Sequence, residues 1–364
     1  MANRTIFNRV WNLFYTNTKR LFSSYYFDNN RRWKELKDKY KGKRVFLIAN
    51  GPSLNITPLY LLRNEYTIMF NRIILMLERL HFTPTFYMVS DALVAPTIID
   101  DIQYFVENSQ ITFSPEIHKG DMIDFTKFVP YSPKVLYTYD EPVKFSNNLP
   151  YIGGAPTVIY RAFQILAFLG FDEVVVVGND MNYVIQGTAE VKNEMHVKGN
   201  IMQHVRSKKD DDPNHFDPRY FGKGKEYHQP TSEVVSRIFK ALDVVADEYK
   251  KLGKKVINAG YNSRVNSFPK QEFYQTLNYS QDKIDSLFEE LVKSKGFDSL
   301  TKFFDLTVTV DSLWEGDLKI AAVPISIASE VVPKKVVEYL PLGPYKGYVY
   351  MVNRELLINK AMQK

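Results

Sequence analysis

The chain is expected to fold as an α/β protein, with a doubly wound, mostly parallel sheet, a long lid loop and a small C-terminal α+β unit. Three observations carry this expectation. Short apolar runs of strand length recur along the first 260 residues, with helix-compatible stretches between them. Their apolar residues are consecutive rather than alternating, as in strands buried on both faces. The first three runs end in polar tips, at Asn50, Asn71 and Ser90/Asp91. Open α/β sheets bind their ligands at the carboxyl ends of strands.

The first run, over 45–49, follows the basic Lys41-Gly42-Lys43-Arg44 and stops at Asn50-Gly51-Pro52-Ser53-Leu54. Asn-Gly-Pro is a turn signature, and Ser53 is positioned to cap a short helix. A strand, a tight glycine turn and a helix start form a cradle for phosphate or ribose, because backbone can approach the ligand closely. The same residues also suit a plain turn, since one glycine turn is weaker than a full dinucleotide fingerprint. The second strand is expected over 66–71, with a helix following through Leu80, and the third over 84–91. Residues 95–150 are less regular, with weak strands near 111–113 and 134–139.

Tyr151-Ile152-Gly153-Gly154-Ala155-Pro156-Thr157 opens a helix to Leu169. Pro156 suits its first turn and Gly170 its end. The Val-rich run over 171–178 is the clearest strand, with the tip Gly178-Asn179-Asp180. Beyond Tyr183 the pattern dissolves, and a lid over about 184–230 is expected. It contains His215-Phe216-Asp217-Pro218-Arg219-Tyr220-Phe221-Gly222 and ends at His228. A helix over 231–252 and a last strand over 255–259 complete the sheet. In the final unit a helix over 284–295 and strands over 319–326 and 345–352 are expected. The division is therefore a basic aromatic helical segment (1–40), a Rossmann-like domain (41–275) and an accessory unit (276–364).

Composition bounds the function. The chain has 364 residues and no cysteine, which removes disulfides, thiolate metal sites and cysteine nucleophiles. No run reaches the roughly 18 to 20 apolar residues that span a bilayer. Residues 1–44 hold 12 Lys/Arg against 3 Asp/Glu, a net +9, which leaves −3 of the total +6 for the rest. The body is therefore mildly acidic and no nucleic-acid surface is expected. The aromatic and basic residues of 1–27 suit either an interfacial helix on an anionic membrane or a helix docked on its own domain or another subunit. A homo-oligomer is left open.

The residues quoted above resemble bacterial sialyltransferases that use CMP-sialic acid on a single Rossmann-like domain with a mobile lid. Asn50-Gly51-Pro52-Ser53-Leu54, Asn71, the Gly153-Gly154 helix start, Gly178-Asn179-Asp180 and His228 fall in that family's order, over roughly residues 44–265. The chain is at least as similar to the family named for 6-hydroxymethylpterin diphosphokinase (MptE-like). That family shares Asn-Gly-Pro-Ser-Leu, the Gly-Gly helix start and the Gly-x-Asp tip; its bacterial members often carry His-Phe-Asp-Pro-x-Tyr-Phe-Gly and go with surface-polysaccharide or flagellin glycosylation.

The first resemblance implies a transferase of an acidic sugar (sialic acid, a related nonulosonate or Kdo) from a CMP donor to a surface glycan such as lipopolysaccharide or capsule. It implies no metal and no cofactor; the absence of cysteine fits a reducing, cytoplasmic compartment, and the basic aromatic N-terminus adds a peripheral place on the inner membrane face as the membrane alternative. The nucleotide contacts it implies are Asn50, Gly51, Ser53, Asn71, Ser90, Asp91, Gly153, Gly154, Gly178 and Asp180. His228 matches the family's base, and His215 is its rival. Tyr183, Arg219, Tyr220, Lys223 and Tyr227 are the donors available for phosphate. The sequence departs from the family where Gly153-Gly154-Ala155 replaces a Thr-Ser-Gly triplet, and where Asn182 stands in place of a phosphate-binding tyrosine. The second resemblance implies a pterin diphosphokinase using ATP and Mg²⁺, with Asp91 and Asp180 as metal ligands. A non-catalytic scaffold on the same fold is the third alternative. His196, His204 and the run Asp210-Asp211-Asp212 match no metal-site spacing.

Overall fold

The computed structural model describes residues 24–80, 82–90, 94–115, 128–133, 144–146, 149, 151–184, 188–197, 200–293, 320–325, 328 and 338–353. The expectations for residues 1–23, for a strand over 134–139 and for Asp91 lie outside the described residues. Helix α1 (Ser24–Leu36) precedes strands β1 (Arg44–Ile48) and β2 (Tyr66–Phe70), the short helix α2 (Leu77–Leu80) and β3 (Phe86–Met88). Then come α3 (Ile99–Asn108), β4 (Ile111–Pro115), β5 (Phe128–Pro133), β6 (Tyr151–Ile152), α4 (Val158–Leu169) and β7 (Glu173–Val177). Strands β8 (Glu190–Val197), β9 (Asn200–Arg206) and β10 (Glu226–Pro230) lead to α5 (Ser232–Lys251) and β11 (Lys255–Asn258). The described residues end with α6 (Phe273–Thr276), α7 (Gln281–Lys293), β12 (Ile320–Pro324), β13 (Tyr339–Tyr345) and β14 (Tyr348–Asn353).

Among the described residues the main sheet has eight strands in the order β11-β7-β1-β2-β3-β4-β5-β6, and every neighbouring pair is parallel. The chain starts in the middle at β1, winds outward to β6, then returns to the other side of β1 with β7 and β11. The winding therefore reverses between β1 and β7, which is where a doubly wound sheet opens a ligand crevice.

Burial explains the apolar runs. Val45 and Leu47 of β1 and Val174 and Val176 of β7 face one core, with Trp33, Tyr40, Phe163, Leu166 and Val245. Phe46, Ile48, Val175 and Val177 face the other, with Leu54, Leu62, Phe105 and Tyr87. Successive side chains of one strand thus enter opposite cores, and each must be apolar. Trp33 anchors α1 by stacking on Phe113 at 5.6 Å and meeting Phe168 edge-on. The described part of the N-terminal segment is therefore a helix of the domain, docked through its Trp33 and Leu36 face.

Helix ends follow local chemistry. The Thr157 hydroxyl accepts from the Ile159 N–H at the start of α4. Gly170 ends that helix at φ 93°, where a Cβ would lie 2.7 Å from the Asp38 backbone. Thr231 caps α5 through the Val234 N–H, and Lys250 and Lys251 sit in its last turn against the helix dipole.

Two expectations are corrected. Ser53 is not a cap: it lies inside a 3-10 helix, Pro52–Ile56, whose N-cap is Gly51. Strand β5 was not expected from the sequence. The lid is not structureless, because β8, β9 and β10 form a three-stranded antiparallel sheet in the order β10-β9-β8. The C-terminal unit is a second antiparallel sheet, β12-β14-β13, with a core of its own in which Phe288 of α7 packs among Tyr274, Leu342, Tyr350 and Val352. Among the described residues no helix is long and apolar enough to cross a membrane.

Candidate functional site

At the switch point a cleft of about 140 Å³ opens over the carboxyl ends of the strands. Its walls are residues 49–51 after β1, 70–71 after β2, 157–159 at the start of α4 and 178–183 after β7. Asn214, His215 and Tyr220 close it from the loop between β9 and β10. A space this size holds a group of about the bulk of benzene (an engineered cavity of roughly 150 Å³ binds it), so the cleft suits one ring of a larger ligand.

Three amides around the cleft each leave one buried atom without a partner among the described residues. Asn50 Oδ1, Asn71 Oδ1 and Asn179 Nδ2 are buried and make no hydrogen bond. Asn50 does donate from Nδ2 to the Phe70 carbonyl at 3.3 Å, and Asn71 takes a left-handed backbone at φ 49°. Its carbonyl accepts from the Tyr87 hydroxyl at 2.7 Å. A buried polar group left unpaired costs about 1–3 kcal/mol. Three in one place are the mark of a surface built to meet a polar ligand.

The cradle at the first turn is filled from inside the protein. Asp180 accepts from the Ser53 N–H at 2.8 Å and the Ser53 hydroxyl at 2.5 Å. Gly51 is glycine for the same reason: a Cβ there would lie 2.5 Å from Asp180 Oδ2 and 2.6 Å from the Gly178 carbonyl. Gly178 itself adopts φ 70° beneath Leu54. Burial pushes the Asp180 carboxyl up, opposed by the two Ser53 hydrogen bonds and the His215 charge. The folded state therefore holds this proton more tightly than the unfolded chain. The associated stability is full below the usual aspartate value near 3.8 and is lost as pH rises through the higher folded value. Asp180→Asn should accordingly gain stability relative to the native protein as pH rises across that window. Asp180→Ala should cost about 1–3 kcal/mol by orphaning the Ser53 N–H. Urea denaturation of both variants at a series of pH values checks this; an Asn variant that loses ground with rising pH would contradict it.

The His-Phe-Asp-Pro-x-Tyr-Phe-Gly stretch is part of the core rather than a flap. Phe216 and Tyr220 are 0% and 2% exposed in the second core. The Phe216 N–H donates to the Asn50 carbonyl at 3.0 Å, and its carbonyl accepts from Asn55 Nδ2 at 2.9 Å. Arg79 donates to Asn55 Oδ1 at 2.6 Å and lies 3.7 Å from Asp217. Burial acts to raise Asp217, but the Arg219 side chain and backbone, with Arg79, hold it below the usual range. Arg72 donates to the carbonyls of Arg219 and Tyr220. On the outer side, Asn214 makes two hydrogen bonds to the Val184 backbone, at 2.7 and 2.8 Å.

This scaffold seats His215 in the cleft. Its ring lies flat on Tyr220, with centroids 3.7 Å apart and planes 2° apart, and its Nδ1 is 2.8 Å from Asp212 Oδ2. Burial pushes the Tyr220 hydroxyl up. His228 is elsewhere: it sits on β10 opposite His204, its ring stacked on that of His204 at 5.3 Å.

The cleft thus gathers Asn50, Gly51, Asn71, Gly178, Asp180, Tyr183, His215 and Tyr220. His228, Ser53, Ser90, Gly153, Gly154, Arg219, Lys223 and Tyr227 are not among its walls. Ser53 is buried against Asp180, and the Ser90 carbonyl accepts from Arg161 at 3.2 Å. Arg219 is engaged with Asp217 at 2.7 Å, and the Lys223 N–H with Asp210 at 2.7 Å. Tyr227 stacks on Phe221 at 4.3 Å, and burial, then Asp212 and Asp211, push its hydroxyl up to about 12. Gly153 answers a packing demand, since a Cβ there would lie 1.8 Å from the Lys144 carbonyl oxygen. The buried Gln164 fixes the same turn, accepting from the Ser146 and Gly153 N–H groups and donating to the Gly153 and Tyr160 carbonyls. Asn214 and Asp212 are functional candidates that sequence reasoning passed over, and Asn179 was read only as part of the β7 tip. Among the described residues no group of three or more His, Cys, Asp or Glu is placed to hold a metal ion.

The fold and cleft define a doubly wound α/β protein with a ligand crevice at its switch point. A family model described as 6-hydroxymethylpterin diphosphokinase MptE-like matches residues 20–186, the stretch from α1 past the β7 tip. The chain therefore resembles that family where its first-strand, Gly-Gly and Gly-x-Asp motifs lie. Among solved structures it is similar to the MAf glycosyltransferase from Magnetospirillum magneticum AMB-1, at 17% identity and a TM-score of 0.41. That likeness covers 73% of this chain and 41% of the other, so the chain spans about two-fifths of that protein's length. At that level it carries no argument about activity. No curated protein matches the sequence.

Proposed function

We propose that this protein is a glycosyltransferase that moves an acidic sugar from a CMP donor to a hydroxyl of a bacterial surface glycan, without a metal. The observation that carries the reading is the convergence of three amides, each with one unpaired buried atom, and a carboxylate-oriented imidazole on one cleft at the switch point. Amide oxygens accept from ribose hydroxyls or an exocyclic amine, and the Asn179 Nδ2 donates to an oxygen acceptor. A monophosphate leaving group carries less charge than a diphosphate, so hydroxyl and amide donors can stabilise it. The closed wall of Asn214, His215 and Tyr220 limits water near a donor that hydrolyses readily. The +9 charge of residues 1–44 supports placing the enzyme at an anionic inner membrane face, where lipid-linked acceptors would be reached.

One observation favours a second reading. The family match over residues 20–186 carries the name of a pterin diphosphokinase, which would need ATP and Mg²⁺ with Asp180 and Asp91 as carboxylates. Thermal unfolding with CMP, CDP, UDP, GDP and ATP, each in Mg²⁺ and in EDTA, separates the two. The transferase reading expects stabilisation by CMP that survives EDTA. Stabilisation by ATP alone, abolished by EDTA, would replace it with the kinase, and no response to any nucleotide would favour a scaffold.

A further inference from the structure

We infer that Asp212 is the positioning residue that makes His215 the general base of this site, an inference that rests on the transferase reading above. Asp212 has no sequence signal of its own within the run of three aspartates, yet its side chain is only 1% exposed. Its carboxylate accepts from the Asn214 N–H at 2.9 Å through Oδ1. Through Oδ2 it meets His215 Nδ1 at 2.8 Å and the Phe221 N–H at 3.1 Å. Two of those donors are backbone groups, so the carboxylate is fixed before the imidazole is added. The three donors offset the cost of burying the carboxylate and hold it in one orientation.

The consequence falls on the imidazole. A hydrogen bond from Nδ1–H to a fixed carboxylate selects one neutral tautomer and leaves Nε2 as the nitrogen with a lone pair. Tyr220 lies flat against one face of the ring and Phe221 stands edge-on at 5.2 Å, so the ring plane is set as well. Arg72 and the buried Phe216 hold the backbone on either side. Beyond Asp212, the Asp180 carboxyl at the β7 tip also interacts with His215. In transfer, the acceptor hydroxyl oxygen forms its bond to the anomeric carbon as the bond from that carbon to the phosphate oxygen breaks. The electron pair of the broken bond leaves on CMP, and the hydroxyl proton passes to His215 Nε2. Asp212 stabilises the imidazolium until the proton returns to solvent.

The test reads the tautomer directly. The protein has six histidines, so selective ¹⁵N-histidine labelling of the full chain gives a resolvable imidazole spectrum, with His215→Gln for assignment. At mildly alkaline pH, wild-type His215 should show the Nδ1–H pattern, and Asp212→Asn should lose it. A wild-type His215 in the Nε2–H form, or averaging between tautomers, would overturn the inference without any variant needing to fold. Saturating CMP should shift the His215 signals; CMP that stabilises the protein yet leaves them unmoved would also overturn it. An Nδ1–H tautomer in a protein that no nucleotide stabilises would uphold the Asp212–His215 pair and overturn the nucleotide reading instead.

Discussion

Replacing His215 with alanine should lower the rate of sugar transfer by about 10²–10⁴, the usual contribution of a positioned acid or base. The loss should fall on kcat, with CMP-dependent stabilisation retained, because the amides of Asn50, Asn71 and Asn179 remain. His228→Ala should cost far less. Its imidazole is stacked on His204 within the three-stranded sheet, and it is not among the residues lining the cleft. Acceptor-dependent release of CMP from a CMP-activated acidic sugar measures both. A larger loss at His228 than at His215 would contradict the account and restore the base that the family resemblance implies.

The second large effect is on stability. Gly153→Ala should destabilise the protein by about 1–3 kcal/mol or more, the range for overpacking a filled site. The added methyl would lie 1.8 Å from the Lys144 carbonyl oxygen and 3.2 Å from Gln164 Oε1. Backbone on one side and a fully hydrogen-bonded glutamine on the other leave little room to yield. Gly154→Ala is the control, since the nearest atom to its Cβ would be an Arg161 guanidinium nitrogen at 3.8 Å. That variant should stay within about 0.5 kcal/mol, as surface-like changes do. Chemical denaturation of the pair checks the contrast. Equal stability would mean that the Gly-Gly turn is not held by Lys144 and Gln164.

The contrast shows which parts of the molecule could be read from the sequence. The sheet was legible because strands buried on both faces must be apolar at every position, and the runs around Leu47, Met69 and Val175 are. The end of α4 was legible because Gly170 is a helix stop, and the start of α5 because its helical pattern resumes at residue 231. The antiparallel sheet was not, because β8 and β9 carry few apolar residues and read as a polar loop. Strand β10 does alternate, with Tyr227 and Gln229 buried, but its five residues end in proline and are too short for a confident pattern.

The site divides along the same line. Asn50, Asn71 and the Gly178-Asn179-Asp180 tip stood out because they terminate strands. The pairing of Asp180 with Ser53 was not legible, because only folding brings the β7 tip onto the first turn, where the carboxylate takes the Ser53 N–H and hydroxyl. Arg219 and Lys223 looked like phosphate donors, but the first is engaged with Asp217 and the second lies outside the cleft walls. Asp212 could not be distinguished from Asp210 and Asp211 by composition; only folding buries it beside His215.

The measurement that bears most directly on the central claim is CMP-dependent thermal stabilisation in EDTA of the wild type beside Asn50→Ala and Asn179→Ala. Asn179→Ala removes a buried Nδ2 that has no partner among the described residues, so that variant should unfold close to the wild type without ligand, while Asn50→Ala also loses the hydrogen bond from Nδ2 to the Phe70 carbonyl and should cost about 1 kcal/mol. At a hundred times its dissociation constant CMP should stabilise the wild type by about 2.7 kcal/mol, and the variants markedly less. A wild-type response matched in both variants would place nucleotide binding outside this cleft and contradict the account.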